Sequence, residues 1–322
     1  MDFLGQRMPY VTAFSKALGT GMVISVDSPI DDKVRSAMES LIEDYEHVLS
    51  RFRNDSLIAA IGKAEHGGSF DFPDWCAPLF DLYDALFSAT SGAIDPCVGE
   101  DLIRLGYDAS LSFTVTQDAP EHLGALRGRA VWGRDVTRHG TTLVTHEPVQ
   151  LDFGACGKGY LVDLLGRMLQ SSQFVIDAGG DLLIHAEQPI SVALEDPEDQ
   201  SHAIGIAHIA NGALCASAPS RRHWNVTVNE RTQIAIHHLL NAIDGLPAQQ
   251  TEASWAYIPA NATLNLARDY PAAVADGLAT ALFVSDATQL QRTFDFAYAT
   301  LNESRQIAAS RNFPAELFLR SA

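Results

Sequence analysis

The chain has 322 residues, 47% of them apolar and 19% charged, which excludes disordered and fibrous classes and suits one large domain or two modest ones. Lys plus Arg total 22 against 40 for Asp plus Glu, a formal net charge of −18. That balance argues against a nucleic-acid polymer as partner, because such a protein needs a cationic face to neutralise phosphates, whereas a single nucleotide can be held by backbone amides, one lysine and a divalent metal.

The most apolar stretch, Ala272 to Val284, is short and carries Asp276, so no membrane span is expected. The start, Met1-Asp2-Phe3-Leu4-Gly5-Gln6-Arg7, lacks a basic flank followed by an apolar segment, and the expected location is the cytoplasm. Cys76, Cys97, Cys156 and Cys215 are scattered without a C-x-x-C pair and read as reduced core thiols.

In chain order, Met22 to Val26 reads as a strand. Val34, Met38, Leu41, Ile42, Tyr45, Val48, Leu49 and Phe52 recur at steps of three and four and predict an amphipathic helix, with Asp31 or Asp32 at its start. Leu79, Leu82, Tyr83, Leu86 and Phe87 predict a second helix closed by Gly92. Residues 107–150 are polar and irregular, with Ala130-Val131-Trp132 as a strand-like piece. A glycine-rich turn, Gly154 to Gly159, then opens a helix over Tyr160 to Leu169. Phe174 to Ile176 and Leu182 to Ile184 read as strands around a Gly179-Gly180 turn. Further strands are expected at Ile190 to Leu194, Ile204 to Ile209 and Ile234 to Leu239. Ala272 to Val284 reads as a helix and Phe313 to Leu319 as a closing strand. Strands and helices mix without regular βαβ alternation, which favours α+β over a doubly wound sheet.

Four segments could carry chemistry. Leu151-Asp152-Phe153-Gly154-Ala155-Cys156-Gly157-Lys158-Gly159 offers free amides at a helix start and a lysine point charge for an anion. It fits neither the Walker spacing nor G-x-G-x-x-G, and a tight strand-to-helix connection with a surface lysine explains it equally well. Asp276 and Thr280 lie four apart on a predicted helix and share a face suited to a hard divalent cation. A threonine bonded back to its own helix explains that pair too. Asp95-Pro96 after the helix stop reads as a turn. Of the adjacent His237 and His238, one is expected to face outward.

Together and in this order, the segments resemble the ApbE family, the FAD:protein FMN transferases. The resemblance runs from about residue 16 to about residue 300. It rests on Leu18-Gly19-Thr20, on Leu49 to Ile58 and on Gly92-Ala93-Ile94-Asp95-Pro96-Cys97-Val98-Gly99. It rests equally on Leu151 to Tyr160 with Asp163, on Gly179-Gly180-Asp181 and on Asp276 to Leu282. It implies one ApbE-like catalytic domain over residues 1–322, with room for two lobes meeting at the FAD site. The implied architecture has mixed, mainly antiparallel sheets with packed helices and is T-fold-related. The implied reaction is Mg²⁺-dependent transfer of FMN from FAD to a Ser or Thr of an acceptor flavoprotein, with release of AMP. On matching positions, Mg²⁺ would fall on Asp276, Thr280 and the carbonyl of Ala155. Flavin and nucleotide contacts would fall on Leu18, Phe52, Ala93, Ile94, Asp95, Asp152 and Lys158, and the base would be His238.

The C-terminal half departs from the family pattern. Where T-S-G-x-Y is usual, this chain has Ala216-Ser217-Ala218-Pro219-Ser220. Where H-x-x-D-P-x-T-G is usual, it has His238-Leu239-Leu240-Asn241-Ala242-Ile243-Asp244-Gly245. Two alternatives follow: an FAD-binding protein without turnover, and an FAD pyrophosphatase giving FMN and AMP with water as nucleophile.

Overall fold

The computed structural model describes residues 4–229 and 232–318. Its centre is a nine-stranded antiparallel sheet: β1 (Tyr10–Ala17), β2 (Thr20–Val26), β3 (Phe174–Asp177), β4 (Asp181–Glu195), β5 (Ala203–Ser217), β6 (Thr251–Pro259), β7 (Ala297–Asn302), β8 (Ile307–Ala309) and β9 (Ala315–Leu317). Strands β1 to β8 pair in sequence order, and β9 pairs with β5. The expected α+β class, with mainly antiparallel strands and packed helices, is what the chain adopts.

Long β5 serves two neighbours in succession. Gly205 to Ala207 pairs with β9, and Gly212 to Ser217 pairs with β6. At the start of the second stretch Gly212 sits at φ +133°, where an added Cβ would meet the Ile258 carbonyl oxygen at 2.3 Å, so only glycine fits where the strand takes up β6. The segments Leu182 to Ile184 and Ile190 to Leu194, expected as separate strands, are one strand whose register against β5 shifts between His185 and Ile190.

Four helices build the side of the sheet that carries the site: α1 (Asp32–Leu49), α2 (Ala77–Ala89), α3 (Gly157–Gly166) and α4 (Pro271–Ala281). The heptad-like spacing of α1 buries Met38, Ile42, Tyr45 and Leu49, and Asp31 caps it by accepting from Lys33 N at 2.7 Å. Helix α2 ends as expected: Gly92, at φ +88°, donates to the Phe87 carbonyl. Helix α4 is buried nearly all round, because its alanines and Gly277 let α3, α2 and the sheet approach its backbone. Its first turn is capped from outside: Asp163 of α3 accepts from Ala272 N at 3.1 Å and Ala273 N at 2.8 Å.

Several local readings need correction. Ala130-Val131-Trp132 contributes only a single bridge, Trp132 to Val136. Residues 107–150 instead supply Val136–His139 and Thr142–Thr145, which join Gly68–Asp71 in a three-stranded sheet. Helix α3 begins at Gly157 rather than Tyr160, because Tyr160 N donates to the Cys156 carbonyl at 3.0 Å and closes the first turn over the glycines; Tyr45 Oη donates to the Gly157 carbonyl at 2.7 Å. The closing strand is shorter than expected, and Leu319 lies outside the described residues. The four cysteines are buried and free, as expected. Among the described residues, no helix is long and apolar enough to cross a membrane.

Candidate active site

The site grows from the start of α3. Asp152 Oδ1 accepts from Gly154 N at 2.6 Å and closes the turn that leads into the helix. Ala155 then leaves its carbonyl pointing towards α4, where the Thr280 hydroxyl donates to it at 3.3 Å. One turn before Thr280, Asp276 Oδ2 accepts from Gly159 N at 3.0 Å. The predicted common face of Asp276 and Thr280 is therefore the face that meets the glycine-rich turn. Thr280 bonds across to Ala155 rather than back along its own helix, and its Oγ1 is 3.5 Å from Ser217 Oγ on β5.

Lys158 lies between two carboxylates. Its Nζ is 3.2 Å and 3.4 Å from the oxygens of Asp276 and 2.6 Å from Asp181 Oδ2. The close approach to Asp181 is an ion pair without hydrogen-bond alignment, and both Asp181 oxygens are buried without an aligned donor among the described residues. Both acids are 1% exposed. Burial raises their pKa values, most directly for Asp276, where the charge of Asp181 adds to the rise and Lys158 opposes it. Burial alone would lower the Lys158 ammonium, but the two carboxylates outweigh it and hold its pKa above the usual lysine range. Two acids face one ammonium, and the raised pKa values let the acid pair keep a proton that a bound cation would displace.

In the sequence Asp181 shows only as the end of a Gly-Gly-Asp turn, with no role attached to it. The left-handed Gly179 and Gly180, at φ +71° and +107°, start β4 so that Asp181 points at α3. An acid directly after a double-glycine turn was the available signal.

A second group lies beside Asp152. Arg51 Nε donates to Asp152 Oδ2, and its Nη1 donates to the Tyr107 carbonyl at 2.5 Å. The guanidinium carbon sits 4.2 Å from the Phe52 ring centroid and 4.7 Å from that of Tyr107. Phe52 is 40% exposed and meets Tyr107 edge-on at 5.3 Å. Arg222 donates to the Tyr107 hydroxyl, and the two line an open cleft of about 220 Å³ with Leu111, Phe113, Ser220 and His223. Arg51, Tyr107 and Arg222 were not singled out as site residues. They come from three distant segments, so no spacing relates them.

Leu18 occupies a two-residue hairpin turn at φ +53°, followed by Gly19 at +68°. A left-handed leucine is strained; here Leu18 N donates to Glu46 Oε1 at 2.7 Å, which helps hold the turn. The turn comes close to Arg222, whose Nη2 would lie 3.9 Å from a Cβ on Gly19.

Ala93, Ile94 and Asp95 are buried. The carboxylate of Asp95 accepts from Cys97 N at 2.8 Å, lies 3.3 Å from Trp132 N, and faces Arg129 at 3.5 Å. The expected Asp-Pro turn is present, and the Asp95 side chain is engaged in building it. The turn lies against the glycine-rich segment, because Asp152 N donates to the Pro96 carbonyl at 2.7 Å.

His238 follows the strand Thr232–His237, outside it, so strand alternation does not set its direction. Its Nδ1 is 3.2 Å from the Arg222 carbonyl. A carbonyl only accepts, so that contact places the proton on Nδ1 and leaves Nε2 with its lone pair. Burial pushes the imidazole down to about 4, against the bond to Arg222, with the charges of Arg222, His237 and Lys158 acting in the same direction as burial. His238 is thus neutral at pH 7. His237 instead bonds the Ala248 carbonyl through Nε2 at 2.8 Å.

The altered residues after His238 still form a defined turn. Asn241 Oδ1 accepts from Ile243 N at 3.0 Å, as an aspartate there could, and Gly245, at φ +74°, donates to the Asn241 carbonyl at 2.7 Å. Ser220, where the family pattern has tyrosine, has a buried hydroxyl without a partner among the described residues.

The architecture is that of a mixed α+β protein in which carboxylate, hydroxyl and carbonyl oxygens meet the glycine-rich turn between α3, α4 and the head of β4. The family pattern of ApbE matches residues 18–300, and the chain belongs to the ApbE family. A protein of Treponema pallidum named FAD:protein FMN transferase is 27% identical over 286 residues, 78% of this chain and 72% of that one. One of Klebsiella pneumoniae with the same name is 22% identical over 236 residues, 70% of this chain and 66% of that one. The crystal structure of the ApbE protein of Thermotoga maritima superposes with a TM-score of 0.77 at 20% identity, covering 95% of this chain and 99% of that one. The flavin transferase ApbE of Vibrio cholerae does so at 0.74 and 17% identity, covering 94% and 97%. These two likenesses establish the fold.

Proposed function

We propose that the chain transfers FMN from FAD to a Ser or Thr hydroxyl of an acceptor flavoprotein and releases AMP. The observation that carries this reading is the convergence of Asp276, Thr280 and the Ala155 carbonyl on the glycine-rich turn that bears Lys158. The names of the relatives in Treponema and Klebsiella support the same reaction.

The donor set suits Mg²⁺, since carboxylate, hydroxyl and carbonyl are all hard oxygen ligands. No group of three or more His, Cys, Asp or Glu gathers among the described residues, so the hydroxyl and the carbonyl are needed to complete a set. Two buried acids facing one ammonium also favour a cation at that place. Asp276, Thr280 and Ala155 would hold it. Once bound, Mg²⁺ would supply neutralisation of the diphosphate charge and of the AMP leaving group.

The remaining work falls to this chain's own groups. Lys158, anchored by Asp181, offers its ammonium to a phosphate oxygen. Phe52 presents an exposed ring face beside Arg51 on which a flavin or adenine ring can stack. Leu18, Asp152 and the Ala93 to Asp95 turn border the dinucleotide. His238 Nε2 accepts the proton of the acceptor hydroxyl as its oxygen bonds to the FMN phosphorus. The bond from that phosphorus to the bridging oxygen breaks, and the oxygen leaves with AMP.

The test is incubation of the purified chain with FAD, Mg²⁺ and an acceptor flavoprotein domain, reading covalent flavin fluorescence on a denaturing gel and AMP by chromatography. Both products in equal amounts are expected. AMP and FMN without an acceptor would replace the reading with FAD hydrolysis. Tight FAD binding with neither product would leave a binding protein, the reading favoured by the partnerless Ser220 hydroxyl.

A further inference from the structure

We propose that Arg129 is a positioning residue, fastening the Ala242 peptide, and with it the loop from His238 to Gly245, against the Ala93 to Asp95 turn. This rests on the reading of His238 as base. The Arg129 side chain is fully buried, and its three nitrogens reach three different segments. Nε lies 2.8 Å from Asp101 Oδ2 as an ion pair without hydrogen-bond alignment, Nη1 donates to the adjacent Ala130 carbonyl and lies 3.5 Å from Asp95 Oδ2, and Nη2 donates to the Ala242 carbonyl at 2.6 Å. The other side of the same residue is used as well, since Ala242 N donates to the Ala93 carbonyl at 3.0 Å. A proline, usual at this place in the family pattern, has no N–H to give.

The neighbours of Arg129 reinforce the clasp. Ala125 N donates to the Ala242 carbonyl at 3.2 Å, Leu126 N to that of Ile243 at 3.0 Å, and Arg127 Nη1 to that of Asp244 at 3.1 Å. Gly124, at φ +77°, packs so closely that a Cβ would meet the Asp244 carbonyl carbon at 2.3 Å, and its N–H is fixed by Asp101 Oδ1 at 2.8 Å. Burying three charged groups is costly, and apolar side chains of similar volume would stabilise a core at least as well. What a planar guanidinium adds is a fixed angle between acceptors on separate segments. Here those segments are the turn beside the glycine-rich loop and the loop that starts at the base.

The experiment compares the full-length chain with Arg129→Lys, which keeps the charge but cannot reach three acceptors. Hydrogen exchange of the Ala242, Ile243 and Gly245 amides should accelerate more than tenfold, with the amides of β4 and β5 unchanged. The kcat for FMN transfer should fall at least tenfold while the FAD Kd and the acceptor KM stay within threefold. Unchanged exchange in the loop, acceleration spread evenly over the sheet, or an unaltered kcat on a loosened loop would overturn the proposal. If Arg129→Lys does not fold, Asp101→Asn, which retains an oxygen for Gly124, should accelerate the same three amides at least threefold, and no change there would overturn it. A wild-type chain that makes neither covalent flavin nor AMP sinks the transfer reading alone, and the exchange measurement still decides the clasp.

Discussion

Lys158 is shared between Asp181 and Asp276, with the shorter approach, 2.6 Å against 3.2 Å, to Asp181. The lysine is thus tethered by an acid that lies outside the proposed Mg²⁺ ligands. If Asp276 turns to a cation, Lys158 retains a partner. In Asp181→Asn the ammonium has only Asp276 left and competes with Mg²⁺ for it. The Mg²⁺ concentration for half-maximal AMP release should rise about tenfold, equivalent to about 1.4 kcal/mol. The melting temperature should hold or rise, because one of two mutually repelling buried carboxylates is gone. A Mg²⁺ titration beside a thermal melt checks both, and an unchanged Mg²⁺ requirement would show that Asp181 does not tether the lysine.

Asp276→Ala separates the site from the fold in the opposite direction. Lys158 keeps Asp181, so the buried charges balance one to one. Gly159 N loses its acceptor, a cost of about 1–3 kcal/mol offset in part by the relief of a buried carboxylate. The variant should therefore fold. AMP release should drop about a thousandfold at every Mg²⁺ concentration, the equivalent of about 4 kcal/mol of lost charge stabilisation. Thr280→Val, which removes one neutral ligand and keeps the shape, should lose less and recover part of its rate at high Mg²⁺. Rates at several Mg²⁺ concentrations distinguish the two behaviours.

The same residues show what the sequence could reveal. Asp276 and Thr280 were legible because four residues on a helix define a face whatever surrounds it. The partners of that face were not. Asp181 reaches Lys158 only because β3 and β4 form a hairpin beside α3, and Arg51 reaches Asp152 across 101 positions. In strands β6 and β7, Thr251–Pro259 and Ala297–Asn302, the strand formers Trp255, Tyr257, Ile258 and Tyr298 are interrupted by Ala253, Ser254, Ala256, Ala297 and Ala299, which blurs the strand pattern. Those small side chains have a packing reason. Ala256 is fully buried, and Ser254 Oγ donates to the Ala279 carbonyl at 2.6 Å, so small residues let the sheet meet the backbone of α4. The four-residue strands around 136–145 are too short and polar to show alternation.

The depressed pKa of His238 gives a pH signature. An ordinary imidazole takes up a proton at about 6.5, whereas the folded chain holds this one off until about 4. The acid limb of kcat/KM for transfer should therefore lie well below pH 6, provided His238 is the base. Stability follows the same group. Between pH 6.5 and 4 the unfolded chain binds the extra proton, so the contribution of His238 is complete above 6.5 and is lost as the pH falls towards 4. Urea melts at pH 7, 5.5 and 4.5 should show a decline that is shallower in His238→Ala. An acid limb centred near 6.5 would mean that the imidazole is solvated during transfer.

Gly159 joins the site to the fold most tightly. It lies in the first turn of α3, donates to Asp276, and faces the start of α4 across almost no space: an added Cβ would stand 2.2 Å from the Ala272 carbonyl oxygen and 2.5 Å from its carbon. The obstacle is backbone, which cannot rotate aside, and Ala272 N is itself held by Asp163. Gly159→Ala must therefore push the two helices apart. Overpacking of this kind typically costs about 1–3 kcal/mol, and a rigid backbone neighbour puts this case at or above the upper end. Any separation also lengthens the bond from Gly159 N to Asp276 and withdraws Asp276 from Lys158. The urea midpoint should fall by an amount corresponding to about 3 kcal/mol, and FAD-dependent AMP release from the fraction still folded should fall at least tenfold. By contrast Gly180→Ala, where no atom lies within 4 Å of the new Cβ, should cost only the strain of a left-handed alanine. Equal losses for the two variants would mean that the α3–α4 contact yields and that the pocket does not depend on it.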